Sequence, residues 1–110
     1  MVQYSLDDEL AAIADPVRRG ILERLGRGDA SISELAAAFG MTLTGMKKHV
    51  AILEAAGLVA TEKVGRVRTC RLGPRRLDEA TAWIDEYRRM LEGRLDRLEA
   101  FLERTRGEEQ

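Results

Sequence analysis

The hydrophobic pattern between Ser31 and Leu72 changes period once, and that change constrains the fold more than any other feature of the chain. Up to Ala56 apolar side chains recur at three- and four-residue steps, the spacing of helices. From Leu58 they fall into two short extended runs, residues 58–63 and 67–72, with Val64-Gly65-Arg66 at the bend. Ser31 with Glu34 three residues later is a capping box, and it opens a short helix through Leu35, Ala36 and Phe39 that Gly40 ends. Thr42 caps the next helix, which runs to Ala56 and stops at Gly57. Two helices joined by Gly40-Met41-Thr42 and followed by a hairpin leave few alternatives.

Charge is distributed in step with that pattern. The chain as a whole carries a formal charge of −1. Residues 42–76 hold eight Lys or Arg (Lys47, Lys48, Lys63, Arg66, Arg68, Arg71, Arg75 and Arg76) against Glu54 and Glu62, a local excess of six positive charges. Gathering the cations of a near-neutral protein into one contiguous third suits a surface that meets a polyanion. Order and charge together predict a mainly α chain with a small β-hairpin, a winged helix-turn-helix whose partner is double-stranded DNA.

The flanking segments complete the expectation. A first helix is predicted over residues 6–14, with Asp7, Asp8 and Glu9 favouring its N-terminal turn. Asp15-Pro16 starts a second helix that Gly26 stops, with Val17, Ile21, Leu22 and Leu25 as its apolar stripe. Pro74 is expected to close the hairpin and start a long last helix over residues 75–104, with residues 106–110 a polar, frayed tail. The 110 residues read as one domain, 1–110, in which 31–57 is the helix-turn-helix and 58–72 the wing. A domain this short buries a limited core unless a second chain covers part of it. Residues 1–14 and 75–104 are therefore assigned to dimerisation, with Leu6, Leu10, Ile84, Tyr87, Leu91 and Leu98 as the interface.

Composition excludes other classes. At 45% apolar and 34% charged the chain is too apolar for disorder. No apolar run approaches the ~20 residues of a membrane span, and no signal segment precedes the first polar residues. Cys70 is the only cysteine, so no internal disulfide can form and a cytoplasmic location is expected. With one histidine, no ligand set, no phosphate loop and no nucleophile beside a base, the chain is not read as an enzyme. No cofactor or metal site is assigned.

The candidate readers lie on the helix of residues 42–56. Thr44, Lys47, Lys48 and Ala51 stand opposite Met46, Val50 and Leu53, giving a polar, basic stripe able to enter a major groove. Lys47 and Lys48 could instead be a solvated helix face, which the neighbouring turn and basic hairpin argue against. Gly45, costly inside a helix, either lets the helix pack closely on its neighbour or lets DNA approach the backbone. His49 is read as a packing or phosphate-facing residue rather than a metal ligand. Lys63, Arg66 and Arg68, with Arg71 after them, can reach flanking phosphates or a narrow minor groove. Cys70 is read as a small core residue in preference to a thiol sensor.

Residues 14–22 (Ala-Asp-Pro-Val-Arg-Arg-Gly-Ile-Leu), 32–36 (Ile-Ser-Glu-Leu-Ala), 48–59 (Lys-His-Val-Ala-Ile-Leu-Glu-Ala-Ala-Gly-Leu-Val) and the wing Gly65-Arg66 resemble, in this order and spacing, the ArsR/SmtB family of winged-helix repressors. The resemblance implies a homodimer that binds an inverted-repeat operator and blocks transcription until an effector changes its affinity. By position it places Thr42, Thr44, Lys47, Lys48 and His49 in the DNA-facing part of the recognition helix. Many members have Ser where Lys47 stands, so a base-reading role for Lys47 rests on this sequence alone. Metal-sensing members carry paired cysteines in the helix corresponding to residues 33–39, or Asp and His along the last helix. Here residues 34–38 are Glu-Leu-Ala-Ala-Ala and the last helix has no histidine, which resembles the branch lacking those sites, its effector an unidentified small molecule. The competing reading is a winged-helix protein-interaction module without specific DNA binding.

Overall fold

The computed structural model describes residues 5–108, so residues 1–4 of the N-terminal segment assigned to dimerisation lie outside those described. Its elements run α1 (Leu6–Ile13), α2 (Pro16–Leu25), β1 (Ala30–Ser31), α3 (Ile32–Ala38), α4 (Leu43–Ala55), β2 (Val59–Val64), β3 (Val67–Leu72) and α5 (Asp78–Glu108). Described residues up to Glu79 form one compact unit and those from Ala80 a second.

In the first unit each helix start is fixed by a side chain that accepts an otherwise orphaned backbone N–H. Ser5 accepts from Asp8, Asp15 from Val17 and Arg18, Ser31 from Glu34 and Thr42 from Gly45, at 2.7–3.2 Å. Helices α3 and α4 both end in the same way. Gly40 (φ 62°) and Gly57 (φ 77°) sit in the left-handed region just past their helices. The following residues, Met41 and Leu58, donate back to Ala36 and Leu53 at 2.9 and 3.0 Å, while Gly40 and Gly57 donate to Ala37 and Glu54 at 3.3 and 2.9 Å. These are Schellman closures, and glycine supplies the positive φ without a Cβ clash.

The stripes predicted for α2 and α4 converge. Ile21, Leu25, Leu35, Met46, Val50, Leu53, Val59 and Cys70 form the buried centre. Gly20 lets α2 approach α3, because a Cβ there would stand 2.8 Å from the Phe39 ring. The β2–β3 hairpin runs in register from Val59 opposite Leu72 to Val64 opposite Val67, closed by Gly65-Arg66. A third strand escapes the sequence pattern. Ala30 and Ser31 pair with Cys70 and Thr69, so the sheet order is β1-β3-β2. A two-residue strand has no period to detect.

The last helix differs from expectation at both ends: it spans Asp78–Glu108 in place of 75–104. Pro74 does not start it. Gly73 and Arg75 donate backbone N–H groups to Leu58 and Gly57 at 2.8 and 3.1 Å, which ties this segment to the base of the hairpin. Leu77 then takes a left-handed turn (φ 59°) before Asp78, whose carboxylate accepts from the Arg76 N–H at 3.2 Å. Arg106 and Gly107 of the expected polar tail are helical; residues 109–110 lie outside those described.

The second unit is α5 alone from Ala80, and the 31 residues of α5 span about 46 Å. Trp83, Ile84, Tyr87, Met90, Leu91, Leu95, Leu98, Phe101 and Leu102 are all exposed. At 100° per residue they cover an arc of about 140° along one side of the helix. Trp83 and Tyr87 stack with ring centroids 5.6 Å apart.

Candidate nucleic-acid interface

Helix α4 carries two faces. Met46, Val50 and Leu53 are buried in the core, while Leu43, Thr44, Lys47, Lys48 and Ala51 are exposed. The phase predicted for Thr44, Lys47 and Lys48 is therefore the observed one. Thr42 is exposed too, with its hydroxyl engaged as the helix cap. Gly45 does not serve close packing on a neighbouring helix: a Cβ there would meet Thr42 Oγ1 at 3.1 Å and Met41 Cε at 3.3 Å. The missing side chain makes room for the helix's own cap and the residue before it.

His49 departs from the stripe. Its Nδ1 lies 3.2 Å from Nη1 of Arg18 in a partly buried contact. A guanidinium can only donate, so Nδ1 is the accepting atom of this contact. Arg18 also donates to the carbonyls of Ala12 (2.7 Å) and Ala11 (3.0 Å), and Arg19 donates to that of Ile13 (2.7 Å). Two arginines of α2 thus satisfy the C-terminal carbonyls of α1, where positive charge is favoured. Through Arg18 they also bring His49 into the frame. Around Asp15, desolvation pushes its carboxyl up, but the Arg18 and Val17 N–H donors and the charge of Arg18 outweigh it, leaving the pKa below its ordinary value. Sequence patterning leaves Arg18 as an unassigned surface cation.

The wing cations divide by environment. Lys63 and Arg66 are exposed at the hairpin tip and, like Lys47 and Lys48, make no ion pair among the described residues. Arg68 is engaged: Nη1 donates to Thr61 Oγ1 at 3.0 Å, and Thr61 donates to Glu54 Oε2 of α4 at 2.7 Å. This relay links the β2–β3 hairpin to α4. Arg71 pairs with Glu62 at 3.3 Å. Arg75 is directed to the fully buried Glu9 of α1 at 3.6 Å, and also meets Asp78 at 3.2 Å and Glu79 at 3.6 Å. The excess of six positive charges, which already sets Glu62 against Arg71, is overstated as a nucleic-acid surface because Arg75 meets Glu9, Asp78 and Glu79 from outside the segment. Cys70 lies in the sheet interior, where burial foremost and then the Glu54 charge push its thiol pKa up despite Arg68.

What remains converges. A cleft of about 250 Å³ between α4 and the hairpin is lined by Leu43 and Lys47 on one side and Lys63, Arg66 and Arg68 on the other, with the start of α3 at its floor. Four cations from two elements face one opening, and Lys48 continues the exposed face of α4.

Comparison with known proteins gives this geometry its context. Residues 13–62 match the model of a helix-turn-helix domain. The crystal structure of an ArsR family transcriptional regulator is 42% identical, covers 84% of this chain and 97% of its own, and superposes with a TM-score of 0.75. The HTH-type transcriptional regulator Rv2034 of Mycobacterium tuberculosis is 31% identical over 83 residues, 76% of this chain and 78% of that protein. The chain belongs to the ArsR family of transcriptional regulators. In this ArsR-family protein the matched residues 13–62 take in α2, α3 and α4 and the start of β2. The fold also matches a homodimeric winged helix-turn-helix DNA-binding domain from Mycobacterium bovis, at 22% identity over 83% of this chain and 82% of that one, with a TM-score of 0.59. Among the described residues of this family member, no helix is long and apolar enough to cross a membrane, and no three or more His, Cys, Asp or Glu group as metal ligands.

Proposed function

We infer that the protein is a homodimeric, sequence-specific repressor that binds an inverted-repeat DNA operator. The observation that carries this reading is the cleft shared by α4 and the wing, where Lys47 faces Lys63, Arg66 and Arg68. A recognition helix seated in the major groove would bring Thr44, Lys47 and Lys48 to base edges, while Lys63 and Arg66 meet phosphates of the flanking groove. Arg68 and His49 serve this interface by holding its parts, the first through Thr61 and Glu54 and the second through Arg18.

Dimerisation is supported by α5, whose exposed apolar arc from Trp83 to Leu102 exceeds what a soluble single chain ordinarily leaves in water. Tyr87, Leu91 and Leu98 lie near the centre of that arc and Ile84 toward one edge, and Leu6 and Leu10 of α1 are proposed as further interface positions. A two-fold dimer reads two symmetric half-sites, and occupation of such an operator blocks transcription. Release is assigned to a small-molecule effector other than the metals of the cysteine- and histidine-bearing branches, since residues 34–38 lack cysteine and α5 lacks histidine. The protein acts in the cytoplasm and catalyses no reaction.

Selection from a random DNA pool tests the reading directly. The expected product is an inverted repeat with half-site centres about 10 base pairs or a multiple apart. Recovery of no motif, with weak binding to all sequences alike, would refute it.

A further inference from the structure

We propose that Leu43 is a specificity-determining residue that reads the 5-methyl group of a thymine in each half-site; this rests on the operator-binding reading above. Leu43 is the first residue of α4 and is 45% exposed. The N-terminal residues of a helix seated in the major groove are the ones that reach base edges.

An isolated exposed leucine needs no explanation, but this one stands where the local structure has no use for it. The hydrophobic staple positions at the start of α4 are filled by Met41, packed on the core, and Met46, fully buried. The cap is made by Thr42 to the Gly45 N–H. Leu43 contributes to neither, and it lines the cationic cleft one turn before Lys47. Its position places a branched apolar group beside an ammonium on the face that meets DNA. In the major groove the thymine methyl is the apolar mark that distinguishes one base from the others, and aliphatic side chains are its natural complement. Lys47, at i+4, reaches an acceptor such as guanine O6 or N7 on a neighbouring pair. Together they make a two-part reader, apolar then cationic.

The test replaces thymine by deoxyuridine, position by position, in the operator recovered by selection; the two bases differ by that methyl alone. At one symmetry-related pair of thymines the unmodified protein should lose about four-fold in affinity per half-site, about fifteen-fold for both, the equivalent of one buried methyl each time. Leu43→Ala should bind the thymine and deoxyuridine duplexes equally while retaining salt-sensitive binding. If deoxyuridine at every position leaves the unmodified protein's affinity unchanged, or if Leu43→Ala keeps the preference for thymine, the inference fails and operator binding stands. If selection yields no motif at all, both fail together.

Discussion

The two units of this molecule use apolar residues in opposite ways. In the first, Ile21, Leu35, Met46 and Leu53 are completely buried, so the helix-turn-helix closes its core within one chain. In the second, Trp83, Met90, Leu95 and Phe101 remain more than half exposed on a helix of 31 residues. Residues of the same chemistry therefore answer to different requirements. The first unit buries its apolar residues and presents exposed cations; the second leaves its apolar residues exposed, the surface proposed above to meet another chain. Stability of the reading head should be local, whereas stability of the long helix should depend on protein concentration.

The largest effect expected from this contrast comes from Leu91→Asp. A charge placed in the centre of the proposed interface without a partner should dissociate the dimer or unfold the protein. Sedimentation at micromolar concentration should show a dimer for the unmodified chain and its absence for the variant; a monomeric unmodified chain would remove the assigned role of α5. Leu53→Ala should act differently. It cuts a cavity in a closed core and should cost about 2–5 kcal/mol at any protein concentration, seen as a drop in the denaturation midpoint of similar size at each dilution.

Arg18→Ala sharpens the same comparison within the first unit. It removes donors to Ala11, Ala12 and His49, and hydrogen bonds from a charged group contribute about 1.5–3 kcal/mol. Thermal unfolding should show that destabilisation while the sedimentation coefficient stays that of a dimer. Destabilisation no greater than that of an ordinary exposed arginine would show that the frame does not depend on it.

The wing provides a smaller and more selective effect. Arg66→Ala should weaken binding to all DNA sequences by similar factors and lower the slope of log K against log salt by about 0.9 for each phosphate it no longer neutralises. Arg68→Ala should behave otherwise, because its side chain is spent on Thr61. It should disturb base preference through the Glu54–Thr61 relay more than it changes the salt slope. Equal salt slopes for Arg66→Ala and the unmodified protein would move the phosphate-binding role elsewhere.

The smallest effect concerns acid. With its pKa held below the ordinary carboxylate value, Asp15 contributes stability that is present above that ordinary value and is lost as pH falls through the lowered one. Asp15→Asn keeps a capping oxygen and removes the titration. Its unfolding curve should fall less steeply with pH on the acid side; an unchanged acid limb would assign that limb to other carboxylates.

How far these features are legible in the sequence follows from the range of the interactions that make them. The caps at Asp15, Ser31 and Thr42 and the stops at Gly40 and Gly57 are local, each set by near neighbours in the chain, and their residue types announce them. The phase of α4 is equally legible, since Met46, Val50 and Leu53 leave one position for the lysines. Glu9 is the opposite case. In sequence it is one of three acids favouring a helix N-terminus, yet it is fully buried and accepts from the backbone N–H of Glu79, 70 residues away. Its counterpart Arg75 is for the same reason indistinguishable, in sequence, from the exposed cations of α4 and the hairpin. The tether of residues 73–75 to the hairpin base and the left-handed Leu77 likewise arise from tertiary contacts, so a helix predicted to begin after Pro74 begins at Asp78. His49 belongs to this class too, because only the packing of α2 on α4 brings Arg18 within reach of it.

The central claim, that the exposed face of α4 reads DNA, is tested most directly by the double variant Lys47→Ala/Lys48→Ala on the selected operator. Neither lysine is buried, so fold and dimer should be unaffected. One good bidentate base contact is worth about 1–3 kcal/mol of discrimination, and a two-fold dimer makes it twice. Affinity for the operator should fall by more than affinity for unrelated DNA, with preference relaxed at symmetry-related positions. Unchanged affinity with unchanged base preference would contradict the account, leaving both lysines as a solvated surface.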